Sequence, residues 1–252
     1  MTDGLLDRAL RVLACFHEDT PELTAAALAE RTGIALSSLH RLLTTLVSRG
    51  LLVRRPGHRY AIGARLWELG ELSPLSLRLR ETALPHMMRL YEATGENVHL
   101  AVLDGPTPET SDALFVGRVT GRASIPTISR TGSRDPLHTT GVGRALLATR
   151  DEPWLRQYFR RPLLPQTTRS IVSEPELRAD LARTRVRGFA ITREEMTLGN
   201  MSVAAALARV DGLPPVAIGV VVRLDRAEPH RLGPLVVQAA RDLRSALEPD
   251  SQ

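Results

Sequence analysis

The sequence predicts a two-part α/β (α+β) protein: an N-terminal winged helix-turn-helix, a linker helix, and a larger C-terminal domain of mixed helices and strands. Three observations carry that expectation. Residues 31 to 67 hold seven arginines and no acid, between Glu30 and Glu68. Ala29, Gly33 and Leu39 stand at relative positions 1, 5 and 11. A small residue there lets two helices cross closely, a glycine accepts the left-handed turn, and an apolar residue locks the second helix on the first. Beyond Ser73-Pro74 the pattern changes to helices alternating with apolar runs such as "NVHLAVL" and "VAIGVVV".

The N-terminal elements follow from local signals. Leu5, Leu6, Ala9, Leu10, Leu13 and Phe16 fall on one helical stripe. Thr24 can cap a second helix running through Arg31 and ended by Gly33. A third runs from about Leu36 to Arg49, with Gly50 as its C-terminal stop. At 100° per residue, Leu39, Leu42, Leu43, Leu46 and Val47 share the core-facing side. The opposite side, Ser37, Arg41, Thr44 and Ser48 flanked by Ser38, His40 and Thr45, is small, hydroxylic and cationic. An ordinary surface helix would carry Glu there for propensity and pairing; a face that enters a groove lined by phosphates cannot. "LLVRR-PGH-RYAIG" then turns as a two-stranded ribbon about Pro56-Gly57, and "ARLWELGEL" reads as a linker helix.

In the second part, "RETALPHMMRLYEATG" is a helix that tolerates Pro85 only near its start or as a kink. "NVHLAVL" and "ALFVGRV" are strands around a polar loop, and "HTTGVGRALLA" is a glycine turn entering a short helix. A charged helix, "EPELRADLARTRVRG", precedes the buried strands "SVAAALA" and "VAIGVVV", and "RLGPLVVQAARDLRSAL" closes the chain as a helix.

Composition bounds the function classes. With 252 residues, 43% apolar and 24% charged, the chain has room for two ordinary globular domains. No run approaches the roughly 18 apolar residues of a membrane helix. The mixed charges of the first residues argue against a secretory leader. The single Cys15, read as a buried thiol, fits a reducing cytoplasm and excludes an internal disulfide framework. All 33 basic residues are arginine. Without lysine there is no Schiff base, no pyridoxal anchor and no phosphate-loop lysine. Hydrolase, zinc-protease, dinucleotide and phosphate-loop signatures are missing too. The seven histidines lack metal-ligand spacing, although His99 and His138 leave open a metal or catalytic pair.

Net charge is +5, and its concentration in one acid-free stretch points to a polyanion. The predicted partner is double-stranded DNA. Arg41 is the expected base reader, since guanidinium pairs bidentately with guanine. Ser37, Ser38, Thr44 and Thr45 can bond phosphates or pack on thymine methyls, and His40 sits where helix packing competes with DNA contact. Arg54, Arg55, His58 and Arg59 would ride the backbone or minor groove from the wing.

On these residues the chain resembles the IclR-type (isocitrate-lyase-regulator) transcription factors. "LDRALRVLACF", "LTAAALAERTGIALSSLHRLLTTLVSRGLL" and "YAIGARLWELG" look like their winged helix-turn-helix and linker helix. "PHMMRLYEATGENVHLAVLDG", "GSRDPLHTTGVGRALLA", "VRGFAITREE" and "SVAAAL" continue the likeness in order and spacing. The resemblance implies a winged helix-turn-helix over residues 1–63, a linker helix region over 64–79 and a GAF-like effector-binding domain over 80–252. It also implies a homodimer or dimer of dimers and ligand-controlled transcription. One helix-turn-helix per chain covers too little sequence for specificity alone, so a palindromic operator is expected, and no cofactor, metal or membrane partner.

Carried over position by position, it implies an effector pocket of Gly141, Val142, Gly143, Thr192, Glu195, Ser202, Val220 and Val222. The glycine loop supplies N–H groups for a carboxylate. The chain departs from the family where Ala35-Leu36 replaces a Pro-Lys pair, Thr192 an aspartate, Ser202 a cysteine, and Val220 and Val222 two serines. These departures imply a drier pocket and a bulkier effector, an aromatic or acyl carboxylate. Two other readings are an enzyme with an appended DNA-binding domain and a ligand-independent architectural DNA binder. The second would not need some 180 further residues with a glycine loop and buried strands.

Overall fold

The computed structural model describes residues 4–121, 125 and 127–248. The chain separates into two compact units, Met1–Ser73 and Pro74–Gln252. The second begins six residues before the expected position 80, because the π-helical turn Leu75–Arg80 runs directly into the first long helix of that unit and buries Leu79 in its core.

The first unit holds α1 (Leu5–Leu13), β1 (Leu23–Thr24), α2 (Ala25–Thr32), α3 (Leu36–Ser48), β2 (Leu52–Arg55), β3 (Arg59–Ile62) and α4 (Ala64–Glu71). Thr24 Oγ1 accepts the Ala27 N–H at 3.2 Å to start α2, and Gly33, at φ +68°, ends it. That left-handed residue turns the chain into α3, whose Leu39, Leu42, Leu43 and Leu46 are buried as the periodicity requires. The expected two-stranded ribbon gains a third strand: β1 pairs with β3, giving the antiparallel order β1-β3-β2. Val12, Leu28, Leu39, Leu43 and Leu52 centre one apolar core, each contributing roughly 1.5–3 kcal/mol by burial.

Helix α1 divides its apolar stripe. Leu5, Leu6 and Leu10 are 64%, 71% and 55% exposed, whereas Ala9, Leu13 and Phe16 pack against the core beside the buried Val12 and Cys15. In α4, Trp67 and Leu69 are also exposed, followed by Leu72.

The second unit is an antiparallel sheet covered on both faces. Its elements are α5 (Glu81–Thr94), β4 (Asn97–Asp104), β5 (Asp112–Val119), β6 (Arg134–Asp135), α6 (Gly141–Ala148), α7 (Glu152–Tyr158), α8 (Glu174–Arg187), β7 (Ala190–Arg193), β8 (Asn200–Ala206), β9 (Val216–Arg223) and α9 (Pro229–Leu247). Among the described residues the strand order is β6-β5-β4-β9-β8-β7. Pro85 lies inside α5, which continues the π-helical turn Leu75–Arg80 without a break, so it interrupts the hydrogen-bond ladder within the helix rather than at its start.

Strand alternation sorts side chains between two cores. Val98, Leu100 and Val102 of β4, Val203 of β8 and Val220 of β9 pack with α5 and α9 residues such as Met87, Val236 and Leu243. Ala101, Phe115, Ala204 and Ala217 point the other way, toward Val142, Leu146, Leu177 and Leu181 of α6 and α8. No helix of the described residues is long and apolar enough to cross a membrane.

Candidate functional site

Two sites emerge, one in each unit. In the first, Ser37, His40, Arg41, Thr44 and Thr45 are exposed on α3 and Ser38 is half-buried. His40 therefore belongs to the outer face rather than to helix packing. The hydroxyls of Thr44 and Thr45 donate to the carbonyls of His40 and Arg41, one turn back, at 2.9 and 3.1 Å. Each keeps its oxygen lone pairs, and rotation frees its proton for an acceptor.

The wing places Arg54, Arg55, His58 and Arg59 in exposed positions around the Pro56-Gly57-His58 turn. Gly57 and His58 both adopt left-handed backbone, at φ +73° and +57°, so β3 returns with Arg59 opposite Arg55. The tip thereby gathers its cations within a few residues. Arg54 lies over the Tyr60 ring at 5.9 Å and Arg55 stands 3.7 Å from Glu22. Arg41 and Arg59 make no ion pair with described side chains. The surface can supply guanidinium and hydroxyl groups to a phosphate-lined groove.

The second site is a cavity of about 50 Å³ between the α6 entry and the polar end of the sheet face. Thr140 is the N-cap of α6, and its Oγ1 accepts the Gly143 N–H at 3.1 Å. That bond corrects the expectation that Gly143 holds a ligand: its N–H is already used, and it does not line the cavity. Gly141 and Val142 do line it, and as the first two helical residues their N–H groups have no intrahelical acceptor. Gly141 also permits close approach, since a Cβ there would come within 2.3 Å of Ser202 Oγ.

Thr192, Glu195 and Ser202 line the cavity. Val220 and Val222 do not. Both are buried in the opposite core, against α5 and α9, and Val221 is the cavity residue of β9. Adjacent strand residues point to opposite faces, so a one-residue misreading exchanges wall for core. The expectation of a drier pocket falls with it. Hydroxyls of Thr127, Ser129, Thr139, Thr140, Thr192 and Ser202 contribute to the wall, beside the apolar Phe115, Val142, Met196 and Val221.

Arg144, overlooked in the sequence, organises this region. It is fully buried, donating to Asp180 at 2.6 Å, to Glu195 at 2.5 Å and to the His138 carbonyl. Burial pushes the Glu195 carboxyl up, and Arg144 opposes that shift. A lone arginine in the apolar run "GVGRALLA" was the available signal: a charge on a helix buried all round needs internal partners.

His99 and His138 are not brought together. The His138 ring contacts the Leu164 carbonyl at 3.0 Å and the Tyr158 hydroxyl at 3.3 Å, away from the cavity wall. His99 faces the cavity, edge-on to Phe115 at 5.3 Å. Burial, reinforced by the Arg118 charge, lowers its pKa to about 4, so it is neutral near pH 7. Among the described residues no three His, Cys, Asp or Glu converge in a way that could hold a metal.

A helix-turn-helix with a basic wing, followed by a domain whose cavity opens on a helix entry, defines a transcriptional regulator with a separate effector domain. The chain belongs to the IclR family: the IclR helix-turn-helix domain matches residues 5–56, and the bacterial transcriptional regulator IclR C-terminal domain matches residues 74–245. It is 31% identical over 247 residues to the transcriptional repressor IclR of Escherichia coli K12, covering 96% of this chain and 89% of that protein. With the acetate operon repressor of Salmonella typhimurium it shares 30% over 247 residues, covering 96% and 89%. Among solved structures, an IclR homolog from Microbacterium hydrocarbonoxydans complexed with 4-hydroxybenzoate superposes with a TM-score of 0.88 at 27% identity, covering 97% of this chain and 99% of that one.

Proposed function

We propose that the protein binds a palindromic operator as a symmetric dimer and that a small carboxylic acid in the cavity of the second unit controls that binding. The observation that carries the DNA reading is the acid-free outer face of α3, continued by the wing arginines. One such unit spans too little sequence for specificity alone, which favours a dimer on two half-sites. Leu5, Leu6 and Leu10 of α1 and Trp67 and Leu69 of α4, exposed in the single chain, supply apolar surface of the kind a second copy covers. For the effector, support comes from the Gly141 and Val142 N–H groups at a helix entry, a natural seat for a carboxylate. The Microbacterium homolog carries such an acid.

Salt-dependent binding to the DNA upstream of the gene, with and without added acids, tests the reading. If Arg54, Arg55 and Arg59 of each protomer each neutralise a phosphate, a dimer displaces roughly six counterions, for a log–log slope of about −5. A slope near −2, or protection of a single half-site by footprinting, overturns the dimer reading.

A further inference from the structure

The cavity carries a polar group that a carboxylate does not explain. His99 is 4% exposed, lines the cavity, and its Nε2 has no hydrogen-bond partner. Thr127 Oγ1, buried on the same cavity, is also without one. Native interiors leave few such atoms unpaired, and each one needs an explanation. Here the two line the same site. Two neighbours of His99 deepen the pattern: Arg118, its register partner on β5, has a buried and unpaired Nε, and Asn97, two residues along β4, has an unpaired Oδ1. These polar atoms are left unsatisfied, whereas the apolar part of the wall is Phe115, Ile128, Val142, Met196, Met201 and Val221.

We propose that the effector carries a hydroxyl in addition to its carboxylate, and that His99 Nε2 binds this hydroxyl, making His99 the residue that selects hydroxylated acids. The inference rests on the carboxylate reading above and adds the second pole of the ligand. A neutral imidazole presents Nε2 as a donor in one tautomer and an acceptor in the other. A hydroxyl satisfies either, as it does Thr127 Oγ1. A second carboxylate would satisfy only the donor form, and an apolar substituent neither.

Titration calorimetry on the full chain with two matched pairs, 4-hydroxybenzoate against benzoate and 4-hydroxybutyrate against butyrate, separates a ring from an aliphatic body and isolates the hydroxyl. In whichever pair binds, the hydroxylated acid should bind at least about 10-fold more tightly, since its absence leaves buried polar atoms unpaired. His99→Phe should erase that ratio while leaving operator affinity of the free protein nearly unchanged. His99→Gln, which restores a polar atom, should retain part of the preference and keeps the test informative if the phenylalanine variant does not fold. Equal affinities within a pair, or a preference that survives His99→Phe, overturns the role of His99 alone. Failure of all four acids to bind, with operator binding intact, overturns the carboxylate reading and this inference with it.

Discussion

Arg41 and Arg144 carry the same guanidinium to opposite ends. Arg41 stands exposed on α3 without an ion pair to described side chains, in a stretch from which acids are missing. Arg144 is fully enclosed on α6, with two carboxylates and a carbonyl around it. On α3 and at the wing tip the first unit leaves Arg41 and Arg59 without an ion pair to described side chains, which costs little in water and readies them for a polyanion. The second spends a cation inside, where an unpaired charge would be prohibitive, and uses it to tie α6 to α8 and to the strand end at Glu195. In a chain without lysine, residue type alone does not tell a binding cation from a structural one. The fold does: Arg144 finds its carboxylates 36 and 51 residues away in sequence, whereas Arg41 meets none among the described side chains.

The contrast can be broken most forcefully at Arg144. Arg144→Ala strands Glu195 and Asp180, although Asp180 keeps Arg183 at 3.0 Å, and should lower unfolding free energy by about 3–5 kcal/mol in urea denaturation. A loss below about 1 kcal/mol would mean that the cluster is not the hub its burial implies.

Next in size is a pair of neighbours that sharpens the difference between core and site. Val222→Ser places a hydroxyl in the α5/α9 core and should cost about 2 kcal/mol of stability with acid affinity kept. Val221→Ser, on the cavity wall, should change acid affinity and leave stability within about 1 kcal/mol. Interchanged outcomes would reverse the orientation of β9.

The smallest effects lie on the DNA side, and differ in kind. Arg41→Ala should cost about 1–3 kcal/mol on the cognate operator only, with no change in thermal unfolding. Arg55→Ala should weaken cognate and random DNA alike, by about 1 kcal/mol or less, since the Glu22 pair already engages that guanidinium in the free protein. Its salt slope should fall by about 2 for a dimer. Equal losses on both DNAs for Arg41→Ala would make it a phosphate contact.

Legibility in the sequence followed the range of the forces involved. Thr24, Gly33 and Gly50 punctuate the first unit through backbone geometry and bonds within a few residues, so the helix ends were readable. The register of β9 was not. "VAIGVVV" is apolar at every position that could alternate, because both faces of the strand are covered, and such a run gives no phase. The resemblance pointed to Val220 and Val222, and the residue of that strand on the cavity wall is Val221 between them. Helix α1 was legible as a helix with an apolar stripe, but a stripe does not say which of its residues meet the core: Leu13 and Phe16 pack there, and Leu5, Leu6 and Leu10 stay exposed. The hub at Arg144 depends on Asp180 and Glu195, 36 and 51 residues away, a distance at which a local pattern is silent.

The alternation of β4 has a consequence for how such a receptor can change over generations. Val98, Leu100 and Val102 hold the unit together, while Asn97 and His99 belong to the face that carries the cavity. Stability and ligand choice are thus written in interleaved letters of one strand. A mutation at His99, on the cavity wall, can retune the receptor while Val98, Leu100 and Val102 keep the core on the other face, and those three can be repaired without touching the wall. Selection on what is sensed and selection on staying folded can then proceed on separate residues, a single peptide bond apart.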